Sequence, residues 1–319
     1  MIARLLLAAA CAALGIHAAQ AQDYPTQPVR MVVGYAPGGV VDFTGRVLAQ
    51  ALGKALGQQV IVENKPGAAG AVATGFVARA RADGYTIQLM DIGTVINPLM
   101  RKDVAYKVSD VTSFGMVASA PVVVVVNNDL PVKTPQELVA YGKANPGKLN
   151  FASAGVGTAP HLGAEQLFAH IGVKAVHVPY AGIGGAFPDI MSGKVQMAFA
   201  SIAGALPFIN DNKIRPIATT GLKRPTAFPN LPTVAETLMP NFNVDIWMTL
   251  AGPAGVPAAV GPKLNAALGQ AQKDPEFLAA LDKIGAGVWP TTIKEANDFV
   301  ASEATRWAPI VAAAGLAAK

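Results

Sequence analysis

The chain is poor in cysteine, in charge and in long apolar runs, and each shortage excludes something. Its one cysteine, Cys11, lies within the first 21 residues of 319. A chain trimmed after that segment can form no disulfide. Charged residues make up 14%, no four Lys or Arg follow one another, and the net charge is only +5. That small, dispersed balance argues against a nucleic-acid binder. The four histidines show no metal-ligand spacing with Cys, Asp or Glu, and no HExxH is present, so no zinc centre is expected. Neither a GxGxxG fingerprint nor a Gly-rich loop ending in Lys-Ser/Thr occurs, so nucleotide binding is disfavoured and no cofactor is expected. The GxSxG elbow of many hydrolases is missing too. Beyond the first segment, no stretch stays apolar for the ~18 residues that a membrane helix needs.

What is present is a folded α/β pattern. Hydrophobic residues reach 52%, and 32 Gly and 24 Pro are scattered between apolar runs as turn residues. The length is about twice that of a usual domain. Arg4, the apolar stretch Leu5 to Ile16 and Ala19-Gln20-Ala21 read as a secretory signal peptide over residues 1–21. The apolar run before Cys11 is too short to favour lipidation there. Cleavage after Ala21 leaves 24 basic and 20 acidic residues, an exported, periplasmic, soluble chain that is expected to be a monomer.

Strands alternate with helices, which argues for parallel sheets covered by helices. Residues 29–34, 60–62 and 85–89 read as strands. Asp42 is a plausible N-cap for a helix whose apolar stripe runs from Phe43 to Leu56. Capping boxes mark helix starts at Thr134 with Glu137, Thr233 with Glu236 and Thr292 with Glu295. The run Pro121 to Asn127 and the strand Val244 to Leu250 bracket a self-contained alternation. Two such crossings predict one domain from residues 22–124 plus 246–319 and another from residues 125–245.

Three Gly-rich loops follow strands and precede helices: Tyr35-Ala36-Pro37-Gly38-Gly39, Ser153 to His161, and Tyr180-Ala181-Gly182-Ile183-Gly184. Glycine lets a backbone approach a ligand, and the free N–H groups of a first helical turn attract anions. A tight turn or a packed histidine explains any one loop equally well. Three of them, divided between two domains, predict a cleft where helix N-termini converge. Gly38 and Gly157 are expected to supply N–H donors there.

The order and spacing of several motifs resemble the periplasmic substrate-binding proteins of tripartite tricarboxylate transporters, the TctC or Bug type. The motifs are Tyr24-Pro25, Pro28-Val29-Arg30, Tyr35 to Gly39 with Asp42, Asn64 to Ala68, Asp83 to Thr86, Asn97-Pro98, and Gly155 to His161. Val178 to Tyr180, Gly182, Asp189, Leu231 to Val234, and Trp247 with Gly252 to Gly255 complete the set. The resemblance implies a two-domain periplasmic-binding-protein clamshell, of the type II or Venus flytrap kind. A small organic acid would sit between its lobes and pass to membrane permease subunits. It also implies a carboxylate held by loop N–H groups and waters rather than by an arginine. Tyr35, Pro37, Gly38, Gly39, Asp42, Asp91, Ser153, Gly155, Gly157, Thr158, His161, Tyr180, Ala181, Gly182 and Gly184 are then the candidate ligand contacts.

This chain departs from the family pattern in three places. Val40-Val41 stand where a hydroxyl residue is common, Asp91 interrupts a loop that is usually rich in Ser and Thr, and Gln196 and Ala200 replace frequent acids. Asp91 either faces a donor or cationic group of the ligand or caps N–H groups of its own loop. Two rival readings stay open beside the transport receptor. One is a secreted, hydrolase-like cleft enzyme in which Ser153 and His161 act; the other is a binding protein that touches a sensor kinase.

Overall fold

A computed structural model describes residues 24–318; the signal segment, its cleavage site and Cys11 lie outside these residues. The first third of the chain builds a parallel unit. Strand β1 (Val29–Val33) pairs in parallel with β2 (Val60–Asn64) on one side and β3 (Thr86–Asp91) on the other. Helix α1 (Val40–Leu56) crosses from β1 to β2 and buries Leu48 and Leu52 against the sheet. Helix α2 (Ala71–Ala78) precedes β3, and α3 (Gly93–Met100) follows it at once. Gly34 is required here, because a Cβ on it would lie 2.8 Å from the Gly70 Cα.

Strand β4 (Val111–Asn127) is 17 residues long and belongs to both halves of the sheet. Over residues 111–121 it pairs antiparallel with β9 (Asp245–Pro253), which pairs in turn with β3. The two-residue β10 (Gly287–Val288) adds to β4 at Ala118 and Ser119. Over residues 122–127 the partners change to β7 (Met197–Ser201) and β8 (Ile214–Thr219). Beyond β7 lie β5 (Leu149–Ser153) and β6 (Ala175–Pro179), paired in parallel. The ten strands thus form one hydrogen-bonded sheet, in which eight lie on a single path through β4, while β8 and β10 branch from that strand. The β-branched run at 122–126 suits its place, with all five valines at most 1% exposed.

Helices cover both halves. In the second they are α4 (Pro135–Ala144), α5 (Ala159–Ile171), α6 (Phe187–Met191), α7 (Ile202–Asn210) and α8 (Val234–Thr237). After β9 the chain returns through α9 (Val260–Ala271) and α10 (Pro275–Lys283), both packed on α1, and ends in α11 (Ile293–Ala313), which packs on β4 and α3. Buried Glu303 of α11 accepts the indole N–H of Trp247 on β9 at 2.8 Å and of Trp307 at 2.9 Å, and pairs with Arg306 at 2.9 Å. A buried carboxylate with three partners ties this last helix to the strand it covers.

Two details differ from the sequence expectation. The N-cap of α1 is Gly39, not Asp42, which lies in the first turn and reaches back to the Gly38 N–H. The Thr134 pair forms half of a capping box: the threonine accepts the Glu137 N–H, but the glutamate accepts the N–H of Lys133. The boxes at Thr233 and Thr292 are complete.

Candidate ligand-binding site

The first half gathers its candidates around one buried carboxyl. Parallel pairing of β1 with β3 places Tyr35, just past the end of β1, beside Asp91, the last residue of β3. The Tyr35 hydroxyl donates to Asp91 Oδ2 at 2.6 Å, and the Gly93 N–H donates to Asp91 Oδ1 at 3.1 Å. Burial pushes the Asp91 carboxyl up to about 6, although the bonds from Tyr35 and Gly93 oppose the shift. Burial, and then the neighbouring Asp91, push the Tyr35 phenol well above its ordinary value. Gly93 lies against the Ala69 carbonyl, where a side chain would collide. Asn97 of α3 donates to that same carbonyl at 3.0 Å and so holds the segment over Asp91.

Asp42 performs a different task. Its carboxylate accepts from Gly38 N–H at 3.0 Å, from Arg46 at 3.0 and 3.1 Å and from Asn64 at 2.7 Å. Burial alone would raise it, but these bonds outweigh burial and hold it below the usual carboxylate range. Asn64 also donates to the Tyr35 carbonyl at 2.9 Å, so Asp42, Arg46 and Asn64 together set the path of residues 35–38. The tip Pro37 to Gly39 is exposed, and Gly38 and Gly39 face open space.

In the second half the organising groups are imidazoles. His161 and His177 stack with ring centroids 3.8 Å apart, and Phe151 stacks on His177 at 4.9 Å. Ser153 Oγ lies 2.7 Å from His177 Nε2 and accepts the Gly155 N–H. The Gly157 N–H donates to His161 Nδ1 at 3.2 Å, which fixes the remaining proton of that neutral ring on Nε2. Burial, and then the neighbouring His177, push His161 down to about 3; burial pushes His177 down to about 4. Both rings are neutral at physiological pH.

Loops 153–158 and 180–184 meet, since the Tyr180 N–H donates to the Ser153 carbonyl at 3.3 Å. The Tyr180 hydroxyl donates to Asp189 at 2.7 Å. That bond, and then Lys194, hold Asp189 below its ordinary value. Loop 153–158 also touches the other half of the sheet, for the Gly157 Cβ direction points at Met100 and Ile96 of α3. Ala181 is exposed, and Gly182 and Gly184 face open space.

The expected N–H donors are redistributed. The N–H groups of Gly38, Gly155 and Gly157 are spent inside their own loops, on Asp42, Ser153 and His161. What remains are the first-turn N–H groups of α1 and α5, whose N-caps Gly39 and Thr158 make no side-chain cap. The Thr158 hydroxyl turns back to the Gly155 carbonyl at 2.8 Å. The third loop leads into a short 3-10 turn at residues 183–186 and then the five-residue α6, so it offers no long helix N-terminus. Arg46, Asn64, Asn97 and His177 position the loops and were not among the candidates. Strand register places His177 opposite Phe151, and Arg46 and Asn97 lie on α1 and α3.

Serine and histidine do meet, but Ser153 pairs with His177 rather than His161, and its side chain is fully buried. Imidazoles held at about 3 and 4 are too weakly basic to serve as general bases at neutral pH. Among the described residues, no cluster of three or more His, Cys, Asp or Glu could hold a metal ion, and no helix is long and apolar enough to cross a membrane.

The comparisons with known proteins agree with this geometry. Residues 44–316 match the model of the tripartite tricarboxylate transporter family receptor. Protein BugT of Bordetella pertussis is 32% identical, with 95% of this chain and 94% of that protein covered. A Rhodopseudomonas palustris protein solved with adipate is 28% identical at a TM-score of 0.86, with 93% of this chain and all of that one covered. MatC from the same organism, solved with bound malate, is 28% identical at a TM-score of 0.81, with 90% of this chain and all of that one covered. These relatives are solute-binding proteins rather than enzymes, and the chain shares their α/β periplasmic-binding-protein fold. The chain belongs to the tripartite tricarboxylate transporter receptor family.

Proposed function

We propose that the chain captures a small organic acid between the loops at residues 36–39, 153–158 and 180–184. It would then deliver that acid to the permease subunits of a tripartite carrier. Residues 22–124 with 246–319 form one lobe in this reading and residues 125–245 the other, with the boundary where β4 changes partners. The leader 1–21 is removed on export to the periplasm, and the mature chain works as a monomer.

The observation that carries the reading is the pair of long helices, α1 and α5, that begin in glycine-rich loops without a side-chain cap. Their first N–H groups need acceptors, and a carboxylate supplies them together with the charge that a helix N-terminus favours. The adipate and malate held by two relatives are small organic acids of this kind. Four to five charge-assisted hydrogen bonds, at about 1.5–3 kcal/mol each, are enough to offset desolvation and reach the ~8 kcal/mol of a micromolar site.

A thermal-shift screen of the mature chain against carboxylic acids, amino acids and sugars tests the proposal. At least one acid is expected to raise the unfolding temperature in proportion to the logarithm of its concentration. Stabilisation by sugars alone, or turnover of the stabilising acid, would overturn it.

A further inference from the structure

The polar side chains of the candidate loops have almost all found partners inside the protein. Tyr35 is bonded to Asp91, and Asp91 also holds the Gly93 N–H. Ser153 is engaged with His177 and Gly155, Thr158 with the Gly155 carbonyl, and Tyr180 with Asp189. No Lys or Arg occurs within the three loops. Against this background one large aliphatic side chain points outward. Val156 is 47% exposed, a large hydrophobic residue on the surface of a candidate loop. Its neighbours Gly155 and Gly157 have φ of 133° and 81°, backbone angles that L side chains rarely adopt. A β-branched aliphatic held outward between two such glycines, on a loop that also meets Met100 and Ile96, gives the loop a hydrocarbon surface. Val40, the first residue of α1, adds a second half-exposed aliphatic where the family often carries a hydroxyl.

We infer that this chain selects acids whose body is plain hydrocarbon, alkyl or aryl, over the same acids bearing a hydroxyl, and that Val156 contacts that body. The inference rests on the acid-binding reading above. Main-chain N–H groups hold the carboxylate and say nothing about the rest of the ligand, so the side chains that face the body decide the choice. A hydroxyl entering beside Val156 loses its water and gains no side-chain partner. An unpaired polar group of that kind lowers affinity by about ten- to a hundredfold.

The test is calorimetric titration of the mature protein at neutral pH with three matched pairs: succinate and malate, glutarate and 2-hydroxyglutarate, butyrate and 3-hydroxybutyrate. In each pair that binds, the unsubstituted acid is expected to bind at least about tenfold tighter. Val156→Thr keeps the shape and adds a hydroxyl at an exposed position, so it should narrow that ratio severalfold with the unfolding temperature unchanged. Val156→Ala should weaken the unsubstituted acid and leave its hydroxylated partner nearly as before. Equal or tighter binding of the hydroxylated acids, or a ratio that Val156→Thr leaves unmoved, overturns the inference alone. Binding of none of the six acids by a protein that another acid stabilises overturns the inference alone. Stabilisation by no acid at all overturns the acid-binding reading and this inference with it.

Discussion

Five helices that start away from the candidate loops satisfy a first-turn N–H through a side chain, whereas α1 and α5, which start within those loops, do not. Helices α2, α3 and α9 also start without such a cap, but outside the glycine-rich candidate loops. Thr134, Ser201, Thr233, Asp274 and Thr292 each accept a first-turn N–H through the side chain. Gly39 has no side chain to offer, and Thr158 spends its hydroxyl on the Gly155 carbonyl. Among the long helices that start in glycine-rich loops, α1 and α5 both lack the cap. A cap at those two positions would occupy the donors that an incoming anion needs, so the local rule is broken where function can use the break.

The sharpest way to break the contrast is to cap α1 artificially. Gly39 has ordinary φ of −82° and open space around its Cβ direction, so a side chain there strains nothing. Gly39→Asp should gain a few tenths of a kcal/mol of stability as a better N-cap. It should also reduce acid affinity by about a hundredfold, because its carboxylate takes the amides and repels the ligand. Calorimetry beside thermal unfolding reads both, and unchanged affinity would remove α1 from the site. Gly38→Val and Gly157→Val are poorer tools, since φ of 93° and 81° would add backbone strain to any effect on binding.

The two halves also differ in how their buried ionisable groups answer acid. His161 and His177 sit at about 3 and 4 in the folded protein, below their unfolded value. Their contribution is therefore present at neutral pH and is lost as pH falls below about 6.5, where the unfolded chain takes up protons first. Between pH 7 and 5 the loss is about 2 kcal/mol for each ring. Asp91, raised to about 6, works in the opposite sense. The folded state takes up its proton first, which returns about 1 kcal/mol over the same interval. Net stability should fall by about 3 kcal/mol from pH 7 to pH 5 on these groups. Denaturant titrations at the two pH values check the sum. The conservative pair His161→Asn, which keeps the acceptor at Nδ1, and His177→Gln, which keeps a polar group facing Ser153, should flatten the dependence. A protein equally stable at both pH values would show that the pair is not held neutral.

The smallest expected effect lies at a capped helix. Thr292→Ala opens the complete capping box of α11 and should cost about 1 kcal/mol of stability. Acid affinity should not change, and an affinity loss there would blur the contrast between the two kinds of helix start.

Much of the fold was legible because its signals are local. Alternation of strands and helices, the valine run ending at Val126 and the boxes at Thr233 and Thr292 all rest on residues a few positions apart. The length of β4 was not legible. Gly115 and Pro121 interrupt the β-prone pattern, and only the pairing with β9 carries the strand through them. In the site, the loops themselves could be read from their glycines, but the partners of their polar groups could not. The Tyr35–Asp91 bond spans 56 residues and the Ser153–His177 contact spans 24, and both depend on which strands lie next to each other. Asp42 was misplaced by one kind of ambiguity: an aspartate at N3 and one at the N-cap look alike in sequence when glycines precede both.

The place where β4 changes partners has a mechanical consequence. Up to Pro121 the strand is bonded to β9, and from Val122 it is bonded to β7 and β8. Proline carries no N–H, so the ladder lacks a donor where one set of neighbours gives way to the next. A continuous strand resists sliding and stretching, because both would break bonds along its length. Torsion about a point with no donor breaks fewer. A twist of one half against the other therefore costs fewer ladder bonds at this point than at any neighbouring position along β4.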